Sequence, residues 1–479
     1  MAPSAISPPL DSYNQRSSDQ NGGIIYFNGY SENMSNHESV SRVSSSDSVL
    51  DLLCIGFGPA SLAIAIALKD KQPESAQNVL FLEKQPQFAW HAGMQLPGAK
   101  MQISFLKDLA TPRNPRSHFT FINYLFSKGR LNHFINLSTF LPSRMEYEDY
   151  LRWCAGHFEK EGKVAYGMQV EDVEGGERDS KGKILNWKVT ALSQNGERIQ
   201  RKARHVVIAV GGRPVIPQNL QGLKHVAHSS QFASSIGQIQ QREKGRNPRF
   251  VVLGSGQSAA EIYNDLSERF PDSQVRLVIK GASLRPSDDS PFVNEIFDPD
   301  RVDGIYSQDP TVRAAALSLD RGTNYGVVRL ELLEHLYEKL YLQRMKSSDQ
   351  ETWRCRILPN RMVVSAEPST GSSVLLRFQC KDGGEEEMEA DYVFAATGYR
   401  RNVHEDMLGS VRDLVVEEGG KMGVRRDYGV RFTEGSVDEG AGVWLQGCNE
   451  GTHGLSDTLL SILAVRGGEL VDSIFGGGA

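Results

Sequence analysis

Two stretches of the chain repeat one hydrophobic pattern. A short apolar run ends in two glycines one residue apart, and an alanine-rich or amphipathic stretch at helical spacing follows. The first is Asp51-Leu-Leu-Cys-Ile-Gly56-Phe-Gly58-Pro-Ala-Ser61-Leu-Ala-Ile-Ala-Ile-Ala-Leu68. It predicts strand, tight turn and helix, with the unpaired N–H groups and partial positive charge of the helix N-terminus aimed above the turn. Val79-Leu-Phe-Leu82 then predicts a second strand ending in Glu83. Gly56 permits the turn and Gly58 lets a diphosphate approach the backbone. Ser61 fills the small third position imperfectly, and Glu83 stands where a carboxylate accepts hydrogen bonds from ribose hydroxyls. The second stretch, Arg249-Phe-Val-Val-Leu-Gly254-Ser255-Gly256-Gln257-Ser258-Ala259, has a fully small third residue. Its next strand, Gln274 to Lys280, closes on a base instead of an acid, which suits the 2′-phosphate of NADPH. The chain therefore reads as a binder of two dinucleotides.

The remaining pattern fills in around these units. Phe119–Phe126 and Arg144–Phe158 predict helices, the second with an aromatic face that belongs to the core. Gly162–Val170, Leu185–Leu192 and Ala203–Val210 predict strands, as do Val374–Phe378, the run from Met388 through Tyr399, and Gly442–Gln446. Leu284 to Pro299 is dense in polar residues and proline and interrupts the second unit as an inserted lobe would. Asn324-Tyr325-Gly326 is expected to open a helix through Tyr341. A last helix is expected over Thr458–Val465, capped by Ser456 or Asp457. The segment after Glu83, with Trp90, His91, Gln102 and Lys107 on a long and weakly periodic stretch, has the cargo of a binding loop. Residues 1–48 are rich in Ser, Asn, Gly and Pro and read as a disordered tail.

Composition narrows the class. The 479 residues, 39% hydrophobic with mean hydropathy -0.38, support a core spread over two or three domains. A net charge of -6 gives no reason to expect nucleic acid or an anionic membrane as partner. No run approaches the roughly 18 apolar residues of a membrane span, and the N-terminus carries no signal pattern, so an intracellular, cytosolic protein is expected. The five cysteines, at 54, 154, 355, 380 and 448, form no C-x-x-C pair and no metal spacing. That argues against a disulfide reductase, which also binds two nucleotides.

Long strings carry more information than the glycine turns. Met101-Gln102-Ile-Ser-Phe-Leu-Lys107-Asp108, Arg285-Pro-Ser-Asp-Asp-Ser-Pro-Phe-Val-Asn294-Glu295-Ile296-Phe297, Asp391-Tyr-Val-Phe-Ala-Ala-Thr-Gly398-Tyr399 and Thr452-His453-Gly454-Leu455-Ser456-Asp457 resemble the flavin-dependent N-hydroxylating monooxygenases. Within them the strings are most similar to the fungal L-ornithine N(5)-monooxygenases of siderophore synthesis. The resemblance runs from about residue 50 onward.

It implies an α/β fold of two Rossmann-like dinucleotide-binding domains, one for FAD and one for NADPH, with a small, mostly helical inserted substrate lobe. The boundaries expected are 49–214 with 392–479 for FAD, 215–288 with 336–391 for NADPH, and 289–335 for the lobe. It implies a homotetramer that hydroxylates the δ-amine of L-ornithine with O₂, a flavin C4a-hydroperoxide being the oxidant, as the first step toward a hydroxamate siderophore.

Residue by residue, the resemblance assigns to FAD the segment Glu83, Lys84, Gln85, Pro86, Gln87, Phe88, Ala89, Trp90 and His91, together with Gln102, Val170, His453, Gly454 and Leu455. It assigns to NADP the turn Ser255, Gln257 and Ser258, Lys280, and Asn324, Tyr325 and Gly326. Lys107, Asn294, Glu295, Ile296, Phe297, Asn324 and Ser456 would hold ornithine, with Lys107, Asn294, Asn324 and Ser456 at the reacting centre. Lys107 is expected on the substrate carboxylate, and Asn294 oxygens on the amine, which must be neutral to react. No general base is evident, and neither His91 nor His453 stands out as one. The polar lobe speaks against a ketone, sulfide or aromatic amine as substrate. Lysine, one methylene longer, differs by only about 1–3 kcal/mol in a pocket. A nucleotide-binding sensor without catalysis has no missing motif to support it.

Overall fold

The protein is described from a computed structural model over residues 48–72 and 78–476. The tail expected over 1–48 therefore lies outside the described residues, apart from Ser48.

The first glycine turn sits in a sheet whose strands run in the order Val164–Tyr166, Val79–Glu83, Val49–Ile55, Arg198–Ile208, Trp187–Ser193, Met168–Gly175. Gly442–Leu445 pairs with the upper half of Arg198–Ile208, parallel to it. The strand Val49–Ile55 lies parallel to Val79–Glu83 on one side and to Arg198–Ile208 on the other, as the βαβ reading requires. The helix Pro59–Lys71 buries Ser61 through Leu68 almost without a break, and packs against the last helix, Leu463–Phe475. The aromatic face of Arg144–Lys160 is core, as expected. Tyr147 and Tyr150 are fully buried against Phe121 and Tyr124.

The second turn sits in a parallel five-stranded sheet, ordered Cys355–Leu358, Gln274–Val278, Arg249–Leu253, Tyr392–Ala395, Val226–His228. An antiparallel meander, Arg361–Pro368, Val374–Cys380 and Glu385–Ala390, returns the chain to its centre. Tyr392–Ala395 pairs with Arg249–Leu253, so the chain leaves the second domain after Ala395 and not at 392. Likewise Leu330–Lys346 packs Leu332, Leu333, Leu336 and Leu340 on the second core, which ends the lobe near Gly326 instead of at 335. Both shifts arise because a boundary follows burial, which a polar composition marks only loosely.

Three other elements differ from the sequence reading. Asn324 closes the helix Pro310–Asn324 instead of opening one, and the next helix starts at Leu330. Gly162–Val170 is two strands broken at Gly167, which has φ +71°. The final helix begins at Leu463. Leu455–Thr458 and Leu460–Ile462 are short 3₁₀ turns, and neither Ser456 nor Asp457 caps the helix. Asp457 is committed elsewhere. Its carboxylate accepts from Arg466 at 2.7 Å and from the Asn449 amide at 2.6 Å, with both charged side chains at 2% exposure or less.

The two crossings between the domains run side by side. Arg213–Pro214 and Tyr399–Arg400 pair as an antiparallel ribbon, and Val215 N–H donates to the Gly398 carbonyl at 3.0 Å. A second junction forms where Gly93 meets residue 230. A Cβ on Gly93 would lie 1.6 Å from the Ser230 carbonyl oxygen, so no larger residue fits. Beside it, Arg144 donates to Glu261 through both Nη atoms, at 2.9 and 3.0 Å, and to the Met94 carbonyl at 2.6 Å.

Removing one partner of a buried ion pair strands the other charge and costs about 3–5 kcal/mol. Asp457→Ala is accordingly expected to lower the urea midpoint of the purified protein by that equivalent, whereas Asp300→Ala, an exposed carboxylate of the lobe, leaves it in place. Equal midpoints for wild type and Asp457→Ala would show that Arg466 is stabilised without its carboxylate.

Candidate active site

Both glycine turns are built to admit a diphosphate. Gly56 holds φ +88° and Gly254 φ +139°, conformations that a side chain opposes. Added Cβ atoms there would also meet the carbonyl oxygens of Ala209 at 2.7 Å and Ala396 at 2.4 Å. Gly58 and Gly256 are different. A Cβ on Gly58 would touch nothing within 4 Å, and one on Gly256 would have Gly326 Cα as its nearest atom, at 3.5 Å. Open space above a helix N-terminus with no side-chain cap is what an anionic nucleotide needs. The residues present therefore fit a dinucleotide at each turn.

Glu83 ends its strand as expected and is 7% exposed. One carboxylate oxygen accepts from the Phe57 amide and the other from the Gln85 amide, each at 2.8 Å. It thus ties the glycine turn to the following loop and keeps lone pairs for ribose hydroxyls. In that loop Lys84, Pro86 and Gln87 are exposed, Phe88 is buried on Phe57, and Ala89 and Trp90 are half-buried. Gln102 is exposed, while Val170 is buried in the sheet core and offers a cofactor only its backbone.

His91 opens to solvent on one side with φ +47°. Protein packed on its other sides, and then the charges of Arg144 and Arg401, lower its pKa to about 4. His453 is fully buried against Tyr428, ring centroids 4.2 Å apart. Its Nδ1 accepts from the Thr452 hydroxyl at 2.8 Å and its Nε2–H donates to the Arg426 carbonyl at 3.1 Å. Burial pushes its pKa down to about 4. With both ring nitrogens engaged, any contact from Thr452–Leu455 to a cofactor falls to the backbone. Gly454 and Leu455 lie against the lobe, with Ile305 filling the space beside Gly454.

The second turn is less free than its motif implies. Gln257 Nε2 donates to Glu261 at 2.9 Å, and its Oε1 accepts from the Arg329 amide at 2.9 Å. Arg329 also donates to the Met101 carbonyl at 3.0 Å. Gln257 is therefore a structural link, and Ser255 and Ser258 are the polar side chains left at the turn. Lys280 lies two residues past the end of its strand, exposed, with no ion-pair partner among the described residues.

The predicted substrate residues come from four separate segments of the chain. The turn Leu455–Thr458, with Ser456, packs on the turn Glu295–Phe297 and on the helix Pro310–Asn324. Ser456 is 1% exposed, and its Oγ has no hydrogen-bond partner among the described residues. Asn294 Nδ2 donates to the Asp289 carbonyl at 2.7 Å, which leaves Oδ1 as the acceptor. Phe297 is buried, Ile296 half-buried, and Glu295 is exposed and paired with Arg301 at 2.9 Å. Tyr325 donates to Glu450 at 2.7 Å and shares a 2.8 Å hydrogen bond with Thr458, which pins Asn324 and Gly326 between the Ser456 turn and Gly256. Lys107 Nζ stands 3.6 Å from Asp298 of the lobe. Arg144, Glu261, Gly93 and Asp298 had no sequence signal, being single residues whose partners are distant in the chain. A cavity of about 960 Å³ lined by Arg204, His205, Arg431 and Trp444 lies elsewhere and includes none of these residues.

Two strand, glycine-turn and helix units on separate sheets, the second with Gly326 of the lobe beside its turn, define a two-dinucleotide α/β protein. The chain belongs to the L-lysine 6-monooxygenase/L-ornithine 5-monooxygenase family, whose sequence pattern matches residues 48–401. It is 50% identical over 469 residues to the L-ornithine N(5)-monooxygenase of Cochliobolus heterostrophus, covering 91% of this chain and 88% of that one. Among solved structures, the ornithine hydroxylase PvdA of Pseudomonas aeruginosa superposes with TM-score 0.81 at 36% identity, over 90% of this chain and 99% of its own. The ornithine N-hydroxylase KtzI of Kutzneria sp. 744, solved with reduced FAD, NADP⁺ and L-ornithine, superposes with TM-score 0.82 at 33% identity, over 90% and 100%. The chain is accordingly a FAD- and NADPH-dependent monooxygenase.

Two outcomes follow from this geometry. A histidine with a folded pKa near 4 and an unfolded value near 6.5 contributes stability that is complete above pH 6.5. The contribution is lost as pH falls to 4, by about 3 kcal/mol for a fully buried ring. His453→Gln should flatten the stability profile between pH 6.5 and 4, measured as thermal midpoints. A profile of wild-type slope would assign the loss to other groups.

Lys280→Glu should weaken NADPH more than NADH, read from the reduction of bound flavin at varied nucleotide. Equal weakening of both would show that Lys280 does not meet the 2′-phosphate.

Proposed function

We propose that the protein N-hydroxylates the δ-amine of L-ornithine with NADPH and O₂, the first step toward a hydroxamate siderophore. The observation that supports this reading is the packing of the Ser456 turn on both the turn Glu295–Phe297 and the helix that ends at Asn324, with Lys107 set 3.6 Å from Asp298 at the end of the first of these. Bound FAD, reduced by NADPH, supplies the activation of O₂ there. The chain's own residues do the rest. Lys107 places the substrate carboxylate as a point charge. Asn294 Oδ1 accepts from the amine without adding a negative charge, so nothing at that atom favours the ammonium form. Asn324 lies between the lobe and the second turn and joins substrate to nucleotide. The buried Ser456 Oγ, without a hydrogen-bond partner among the described residues, is the group we assign to a bound ligand.

Neither His91 nor His453 serves as base. His453 has partners at both ring nitrogens, and a pKa near 4 makes each ring a weak proton acceptor. Lysine is the second substrate to weigh, because the family includes enzymes for both amines. The relatives and structures described above are ornithine enzymes. The exposed apolar side chains of Phe126, Ile135, Leu137 and Phe140 support self-association, and we read the active form as a homotetramer. Among the described residues no helix is long and apolar enough to cross a membrane, in keeping with a cytosolic enzyme.

The reading is tested by incubating the purified yellow protein with NADPH and ornithine, lysine or no amine, while following NADPH oxidation and hydroxylamine formation. Hydroxylamine is expected with ornithine and little with lysine; none with ornithine rejects the assignment. Lys107→Ala should raise the ornithine requirement about ten- to hundredfold, the equivalent of a charge-assisted hydrogen bond of about 1.5–3 kcal/mol. It should also divert NADPH toward peroxide at normal flavin content. Unchanged ornithine dependence and peroxide release would return Lys107 to the role of a surface lysine.

A further inference from the structure

Asp298 is the one carboxylate placed against Lys107 among the described residues, and no substrate motif includes it. It follows directly on the turn Glu295–Phe297, whose residues form part of the candidate substrate site. Its backbone is fixed there. The Asp298 N–H donates to the Glu295 carbonyl at 3.1 Å, and its carbonyl accepts from the Arg301 N–H at 3.1 Å. Its carboxylate is held less tightly. The 3.6 Å gap to Lys107 Nζ exceeds the roughly 2.7–2.9 Å of a closed charge-assisted hydrogen bond. The two side chains are 33% and 46% exposed, so separating them costs little. Arg301, the neighbouring cation, is already bound to Glu295 at 2.9 Å. Asp298 thus has Lys107 as its cation and no other in these contacts.

We infer that Asp298 is a specificity-determining residue that takes the α-ammonium group of the substrate while Lys107 takes the adjacent carboxylate. The inference rests on the reading of an α-amino acid as substrate. In such a molecule the ammonium and carboxylate groups are both substituents of one carbon. A lysine and an aspartate held a few ångströms apart without a closed hydrogen bond present the complementary pair. Insertion of the zwitterion between them gives four alternating charges and leaves none unpaired. If Lys107 acted alone, its new anionic partner would stand beside a second, unpaired carboxylate. An ω-amino acid without the α-amine satisfies only Lys107, and a diamine without a carboxylate satisfies only Asp298. The dyad therefore selects amino acids over both.

The test compares wild type with Asp298→Asn and Asp298→Glu, each loaded with FAD. KM and kcat are measured for L-ornithine, and the inhibition constant against ornithine for 5-aminopentanoate, which lacks the α-amine. Asp298→Asn is expected to raise the ornithine KM about five- to twentyfold, with a smaller change in kcat, and to leave the 5-aminopentanoate constant within twofold. Asp298→Glu is expected to recover part of the loss. An ornithine KM that is unchanged or lowered in Asp298→Asn overturns the inference. So does a rise matched by 5-aminopentanoate, which would mean a displaced lobe. If wild type itself forms no hydroxylamine from ornithine, the reading of the substrate fails first, and the two failures are told apart.

Discussion

Two glycine turns can serve one reaction only if the domains that carry them keep a single orientation, and here a buried ion pair holds that orientation. Arg144, from a helix of the first domain, meets Glu261 on the first helix of the second nucleotide unit. Neither charge can be withdrawn alone without leaving the other desolvated. Around the pair the restraint spreads through named contacts. Arg144 holds the Met94 carbonyl, Glu261 holds Gln257, Gln257 holds the Arg329 amide, and Arg329 holds the Met101 carbonyl. The loop that leaves the first nucleotide turn is in this way fastened to the start of the second nucleotide helix. Gly93 completes the junction by allowing the two backbones to touch at Ser230.

The lobe is fastened differently. It joins the first domain through exposed or half-exposed pairs, such as Arg321 with Glu450 at 2.6 Å and Lys107 with Asp298 at 3.6 Å, through Tyr325, and through Val302, which is buried in the first core. Pairs of this kind are worth little individually and open readily. A site that must admit a substrate between lobe and domain is better served by such contacts than by a buried pair.

The electrostatics of the site follow the same division. His453 is held neutral by burial and has partners at both ring nitrogens, whereas His91, open to solvent on one side, has its pKa lowered by the protein around it and by the charges of Arg144 and Arg401. Lys107, Asp298 and Lys280 stay accessible to solvent and carry the charges that we assign to ligand groups. The five cysteines are free thiols, and Cys54 and Cys154 are fully buried with their pKa values raised. That chemistry suits a flavoprotein that handles oxygen rather than disulfides.

Sequence alone determined the nucleotide units, because strand, glycine turn, helix and closing acid or base are local and every part lies within about thirty residues. Glu83 and Lys280 were legible for that reason, as was the aromatic core face of the helix starting at Arg144. The long strings around Lys107, Asn294 and Ser456 were legible by resemblance, since their spacing has no physical rule of its own. Tertiary structure decided what depended on partners far along the chain. Asp457 looked like a helix cap and proved to be the buried partner of Arg466. Gln257 is expected on the nucleotide, and folding engages both ends of its side-chain amide within the protein. Asn324 looked like a helix start and proved to be a helix end, pinned through the Tyr325 hydroxyl. For Asp457 and Gln257, a side chain able to satisfy a local rule found a stronger partner brought near by folding, and burial made that partner worth more than the local alternative.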